Sequence, residues 1–277
     1  MCSAVSNRTD SGASSWSDGW SGRVPIDGVA LEIALFGPPP QADGKPVVML
    51  LHEGLGCVAL WRDFPARLAA LTGAPVLAWS RRGYGASDLA ELPRPLDYMT
   101  GEAEQALPAL LDWLDAPSFV LAGHSDGASI AALYAGSRRD DRLAGLVLIA
   151  PHFFTEEAGL ASIAEARTAY QTTDLPTRLG KYHADADHCF YGWNDAWLDP
   201  GFKSWNIEAC LPAISVPILF VQGAEDQYGS LAQLETVRQN CPARLEELIL
   251  PDCRHSPHIE QPEALLAGLQ DFLDGLG

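Results

Sequence analysis

Five stretches of this chain are apolar at nearly every position: Val47 to Leu51, Pro75 to Trp79, Phe119 to Ala122, Leu143 to Ala150 and Pro217 to Gln222. A strand with one wet face alternates polar and apolar residues, whereas a continuously apolar run suits a strand covered on both faces. Two flanking segments also read as strands, Asp27 to Phe36 with alternating Val29, Leu31, Ile33 and Leu35, and Leu245 to Leu250. Helical patterns separate the runs: Leu60, Trp61, Phe64, Leu68 and Leu71 form one stripe, Met99 to Leu114 is a second helix, and later ones lie near Leu231 to Val237 and from Pro262 to Leu273. Strands joined by connections too long for hairpins predict an α/β fold with a mostly parallel central sheet flanked by helices.

The alternation stops between Pro151 and Pro217. That stretch has helical but no strand-like patterns, with Leu160, Ile163, Ala164 and Arg167 on one helix and Leu179, Tyr182, His183, Ala186, Cys189 and Phe190 on the next. An all-helical insertion between two strands of a parallel sheet reads as a cap, or lid, over the strand ends where ligands bind. The expected organisation is a flexible tail over residues 1–24, a core over 25–151 and 217–277, and a helical cap over 152–216. His183, Asp185, Asp187 and His188 suggest metal ligands, with His183 and Asp187 one helical turn apart. His183 also belongs to the apolar stripe, so a packed histidine is the expectation.

The run Phe119-Val120-Leu121-Ala122-Gly123-His124-Ser125-Asp126-Gly127 reads as a buried strand, a sharp turn and the start of a helix. A serine hydroxyl is a weak nucleophile, so an enzyme that uses one holds it clear of the backbone, near a base and near oxyanion donors. Gly123 and Gly127 flank Ser125 at the spacing that gives such clearance. Upstream, the apolar run at Val47 ends in His52-Glu53-Gly54-Leu55-Gly56, a glycine-rich loop able to turn backbone amides toward a ligand. Downstream, Asp226 follows one strand and His255 the next, which places a candidate base and an acid to orient it, the two partners a nucleophile at Ser125 requires, on loops after late strands. Glu225 and His258 are the rival acid and base. His124 is expected to point away from the serine, and His52 and His152 to serve as scaffold or pocket wall.

With these residues quoted, together with Arg82-Gly83-Tyr84-Gly85-Ala86-Ser87, Gly223-Ala224-Glu225-Asp226 and His255-Ser256-Pro257-His258-Ile259-Glu260-Gln261-Pro262-Glu263, the chain resembles the lidded α/β-hydrolases, a group that includes carboxylesterases, carbon–carbon bond hydrolases and lactonases. The motifs span residues from about 25 to 277 in the family's order. The resemblance implies a nucleophile elbow and a catalytic triad of Ser125, Asp226 and His255. It also implies an oxyanion hole made by the backbone amides of Gly54 and Asp126, with Leu55 second choice for the first donor. Asp126 would act through its amide and not as the carboxylate nucleophile of a dehalogenase. The implied activity is a serine esterase working through an acyl-enzyme without metal or organic cofactor. Carbon–carbon or lactone hydrolysis by the same residues is the alternative, and a non-catalytic binding protein on this fold a more distant one. Two departures from the family stand out: Glu53 and Arg254 occupy positions where many relatives carry glycine.

Charge bears on partners. The formal net charge of −18 argues against nucleic acid or an anionic membrane surface. No apolar run reaches the ~20 residues of a membrane span. The six cysteines, among them Cys241 and Cys253, form no ligand-spaced pairs and suit reduced thiols, so the chain reads as a cytoplasmic enzyme, monomer or homodimer, acting on a small-molecule substrate. Arg81 and Arg82 could favour an acidic substrate but are expected to be scaffold charges, and Trp193, Trp197 and Trp205 suggest an apolar pocket rim.

Overall fold

Each continuously apolar run forms a strand of one eight-stranded sheet in the computed structural model, which describes residues 15–41 and 44–276. The strands are β1 (Ser21–Ile26), β2 (Val29–Phe36), β3 (Val47–Leu51), β4 (Val76–Ser80), β5 (Phe119–His124), β6 (Leu143–Ile149), β7 (Ile218–Gly223) and β8 (Leu245–Leu250). They lie in the order β1-β2-β4-β3-β5-β6-β7-β8. β1 and β2 are antiparallel to their neighbours, and β3 to β8 run parallel.

The helices are α1 (Phe64–Thr72), α2 (Tyr98–Gly101), α3 (Leu107–Leu114), α4 (Asp126–Ser137), α5 (Glu157–Thr172), α6 (Leu175–Leu179), α7 (Ala186–Leu198), α8 (Ala232–Asn240), α9 (Pro257–Glu260) and α10 (Pro262–Asp274). Side-chain alternation sorts the strands onto two cores. Val47, Met49, Leu51, Phe119 and Leu121 pack on one face with Leu107, Leu111, Ile130 and Tyr134. Val48, Leu50, Val120 and Ala122 pack on the other with Phe64, Leu68, Leu265, Leu269 and Phe272. Burial on both faces is why these strands lack polar positions.

Strand order reverses about β3, since the chain leaves β3 for β4 on one side and returns through β5 on the other. Leu51 pairs with Gly123 in the β3–β5 ladder, so the loops after both strands emerge side by side. This reversal is the crevice where sheets of this kind bind ligands.

Two expectations change. Part of the segment expected as tail belongs to the fold: Ser21–Ile26 forms β1 on the sheet edge, Val24 and Ile26 are buried, and the Trp16 indole donates to the Gly37 carbonyl at 3.0 Å. The rest of that tail, residues 1–14 with Cys2, lies outside the described residues. The helix expected through Leu179 to Phe190 is broken, because α6 ends at Leu179 and α7 begins at Ala186, capped by the Asp185 carboxylate, which accepts from the His188 amide. His183 and Asp187 therefore share no helical face. His183 sits between backbone groups of residues 55 and 85, while Asp187 accepts from Tyr170 at 2.6 Å.

Candidate active site

Ser125 stands at the end of β5 with φ 53° and ψ −119°, a left-handed conformation that costs a non-glycine residue energy and marks the sharpest point of the turn. Its neighbours explain how the turn fits. A Cβ on Gly123 would lie 2.2 Å from the Gly127 carbonyl oxygen, and a Cβ on Gly127 would lie 2.1 Å from that of Leu51. The start of α4 thus presses directly on the end of β3. Ser125 is 6% exposed, and its amide is tied to the Ile149 carbonyl at 2.8 Å.

Asp226 and His255 are brought together. The His255 Nδ1–H faces both carboxylate oxygens of Asp226, at 2.9 and 2.8 Å. The same carboxylate accepts from the Gln222 amide at 2.7 Å and the Tyr228 backbone at 2.8 Å. Burial alone would raise the Asp226 carboxyl, but the His255 imidazole and these hydrogen bonds outweigh it and hold the acid below its ordinary value. The Glu260 carboxylate fixes the loop on either side of the histidine, accepting from the Arg254 amide at 2.9 Å and the Ser256 amide at 3.0 Å.

The rival residues are arranged differently. Glu225 is exposed, and it is Asp226 that meets the imidazole. His258 packs its ring 4.8 Å from that of Trp61, and burial with His124 nearby lowers its pKa to about 3. His152, whose ring lies 5.8 Å from that of His255, is likewise held at about 3 by burial and by that neighbour. Both rings stay neutral over the range in which a general base works.

His124 takes a part that sequence reasoning missed. Its Nε2–H donates to the His255 carbonyl at 2.7 Å, and its Nδ1 lies 3.5 Å from a Glu53 carboxylate oxygen. Burial would raise the Glu53 carboxyl, yet the adjacent His124 more than compensates and keeps the acid below its ordinary value. Glu53, where glycine is usual, is therefore one half of a pair with the residue before Ser125. The sequence marked Glu53 as a departure from the family but gave no sign of its partner. Arg254, the second departure, is exposed.

The loop after β3 is a turn closed by the Gly56 amide on the Glu53 carbonyl at 3.1 Å. The Glu53 carbonyl also accepts from His52 Nδ1–H at 2.6 Å and from Arg81 Nη2 at 3.0 Å. Burial and the Arg81 guanidinium keep the His52 ring well below its ordinary pKa, so its Nε2 accepts from the Arg81 amide at 3.0 Å. Arg81 is thus scaffold, and Arg82 spends its Nε on the Leu89 carbonyl at 2.9 Å. The amides of Gly54, Leu55 and Asp126 have no acceptor among the described residues. The Asp126 carboxylate points elsewhere: it accepts from the Tyr98 hydroxyl at 2.5 Å and lies 3.7 Å from Arg81. Trp197 donates its indole N–H to that same hydroxyl at 3.1 Å.

Among the described residues no group of three or more His, Cys, Asp or Glu side chains is arranged to hold a metal, and no helix is long and apolar enough to cross a membrane.

Comparison with known proteins adds to this geometry. The model of the alpha/beta hydrolase family matches residues 48–268. The mouse protein described as serine hydrolase BPHL is 25% identical over 268 residues, covering 91% of this chain and 86% of that one. The human protein of the same description is 26% identical over 267 residues, with the same coverage of 91% and 86%. In structure, the chain resembles the enol-lactonase from Burkholderia xenovorans LB400, with a TM-score of 0.69, 21% identity and coverage of 91% and 99%. It also resembles a thermophilic esterase from Thermogutta terrifontis, with a TM-score of 0.66, 20% identity and coverage of 93% and 99%. At these identities the solved structures speak to fold, and the family model speaks to descent over most of the chain. Sheet order, the strained turn at Ser125 and the match over residues 48–268 agree: this chain belongs to the alpha/beta hydrolase family.

Proposed function

We propose that the protein is a serine hydrolase that cleaves an ester-type bond of a small to medium organic substrate. The observation that carries this reading is the pairing of His255 Nδ1–H with Asp226 at 2.8 Å, on loops that leave the carboxyl ends of parallel strands as the strained turn at Ser125 does. With Nδ1 protonated and committed to the carboxylate, Nε2 is the nitrogen left free to act as base. The Ser125 hydroxyl loses its proton to that nitrogen as its oxygen attacks the substrate carbonyl. The resulting oxyanion is met by the Asp126 amide and an amide of the loop after β3, Gly54 in the first instance. Collapse expels the alcohol, which takes the proton from His255, and leaves an acyl-enzyme. Water then repeats the sequence with His255 again as base and releases the acid. The helical insertion acts as the cap in this reading: Ser125 and His255 are 6% and 8% exposed, and Trp193 of the insertion lies against Gly54 in the loop after β3.

A fluorophosphonate probe tests the reading. Labelling of the wild-type chain and its loss in Ser125→Ala is the expected result; an unlabelled, folded wild type would sink it. An ester panel of rising acyl size, run beside a lactone and a dienoate, then identifies the bond cleaved.

A further inference from the structure

The turn Glu53-Gly54-Leu55-Gly56 is held at two points. The first is the Glu53 carbonyl, gripped from the sheet by His52 and Arg81. The second is the Leu55 carbonyl, which accepts from His183 Nε2–H at 3.1 Å, and His183 belongs to the helical insertion. The other nitrogen of the same ring, Nδ1, accepts from the Gly85 amide at 2.9 Å, and the Ala184 amide returns a bond to the Gly85 carbonyl at 2.8 Å. One ring that accepts on one side and donates on the other must be neutral, and burial lowers its pKa in keeping with this. The insertion also shapes the turn from above. A Cβ on Gly54 would lie 2.2 Å from the Trp193 indole nitrogen, so the only residue that fits beneath Trp193 is one without a side chain.

We infer that His183 is a positioning residue for the oxyanion loop: the insertion sets the orientation of the amides of Gly54 and Leu55 as well as covering the site. The inference rests on the serine-hydrolase reading. Between the two holding points, the amides of Gly54 and Leu55 are the ones without acceptors. The Gly54 N–H shares the peptide plane of the held Glu53 carbonyl, and the Leu55 N–H belongs to the next peptide, between that plane and the one whose Leu55 carbonyl His183 holds. Trp193 prevents the turn from relaxing upward, and His183 holds the carbonyl side of the Leu55–Gly56 peptide, whose N–H side is bonded to Glu53.

The test compares wild type, His183→Leu and His183→Gln in ester turnover, in fluorophosphonate labelling and in inhibition by a trifluoromethyl ketone, which mimics the tetrahedral adduct. Circular dichroism confirms that each is folded. A misaligned donor acts on the transition state, so His183→Leu is expected to lose about 10- to 100-fold in kcat with KM within about threefold. Inhibition by the ketone should weaken by about the same factor as kcat/KM. Glutamine can accept from Gly85 and donate to Leu55, so His183→Gln should recover to within about fivefold of wild type. If His183→Leu does not fold, His183→Asn is read in its place, since its shorter amide reaches one partner and not both. A labelled wild type whose Leu variant keeps its kcat, or changes only KM, overturns this inference alone. A folded wild type that takes no label overturns the hydrolase reading and the inference together.

Discussion

His124 Nε2–H donates to the carbonyl oxygen of His255 across 2.7 Å, so the residue before the strained serine holds the backbone of the histidine that would serve it. The other side of the same ring faces Glu53, and the three loops of the site are thereby joined through one buried imidazole.

His124→Phe preserves the ring's bulk and removes both polar contacts. The His255 carbonyl then loses a donor and Glu53 loses its partner, so stability in urea should fall by about 1–3 kcal/mol. A loosened base loop should also lower kcat about 10-fold with little change in KM. Steady-state kinetics on the folded variant, with kcat unchanged, would reduce His124 to a packing role.

Acid sensitivity follows from His152 and His258, both held at about 3 in the native protein against an ordinary value near 6.5. Between those values the unfolded chain binds protons that the folded one refuses. Stability is therefore fully present above about pH 6.5 and is lost as pH falls toward 3, by at most about 1.4 kcal/mol per pH unit for each group. His258→Phe keeps a ring against Trp61 and removes one of the two groups. Urea titrations at pH 4, 5, 6 and 7 should give a shallower decline than wild type, and an identical slope would show that His258 titrates normally.

Two glycines on helices should respond in opposite directions to alanine. At Gly127 the added methyl meets the carbonyls of Leu51 and His52 at 2.1 and 2.8 Å, backbone atoms at the centre of the sheet that cannot move aside. Gly127→Ala should cost about 3 kcal/mol or fail to fold. At Gly101 the backbone is helical, with φ −59° and ψ −42°, and the methyl meets nothing within 4 Å. Gly101→Ala should raise stability by about 0.5–1 kcal/mol. Thermal melts of the pair measure both.

The sheet was legible because burial on both faces leaves a mark at every residue of a strand, and the elbow because its glycines are demanded by contacts close in sequence. β1 was not: Ser21-Gly22-Arg23-Val24-Pro25-Ile26 lies on the sheet edge, where one face is wet and a proline is tolerated, and its composition matches that of a tail. The break after Leu179 was hidden because His183 and Tyr182 continue an apolar spacing although they serve contacts with Leu55, Gly85 and Cys57. Pairing of His255 with Asp226 could be expected from their loops, with Glu225 and His258 as rivals on the same loops. The links from His124 to Glu53 and His255, and from Trp193 to Gly54, join distant parts of the chain, and residue type gives no sign of them until the fold is known.

The rung between Leu51 and Gly123 has one more consequence. Loops that leave adjacent strands of a parallel ladder are spaced by the strands themselves, about 4.8 Å apart, and cannot be drawn apart without unzipping the middle of the sheet. Descent with change is therefore constrained unequally along the chain. The spacing on which bond cleavage would depend is inherited with the backbone, whereas the residues between Pro151 and Pro217 belong to no strand of that ladder and can change without altering it, apart from those, such as His183 and Trp193, that touch the loop after β3.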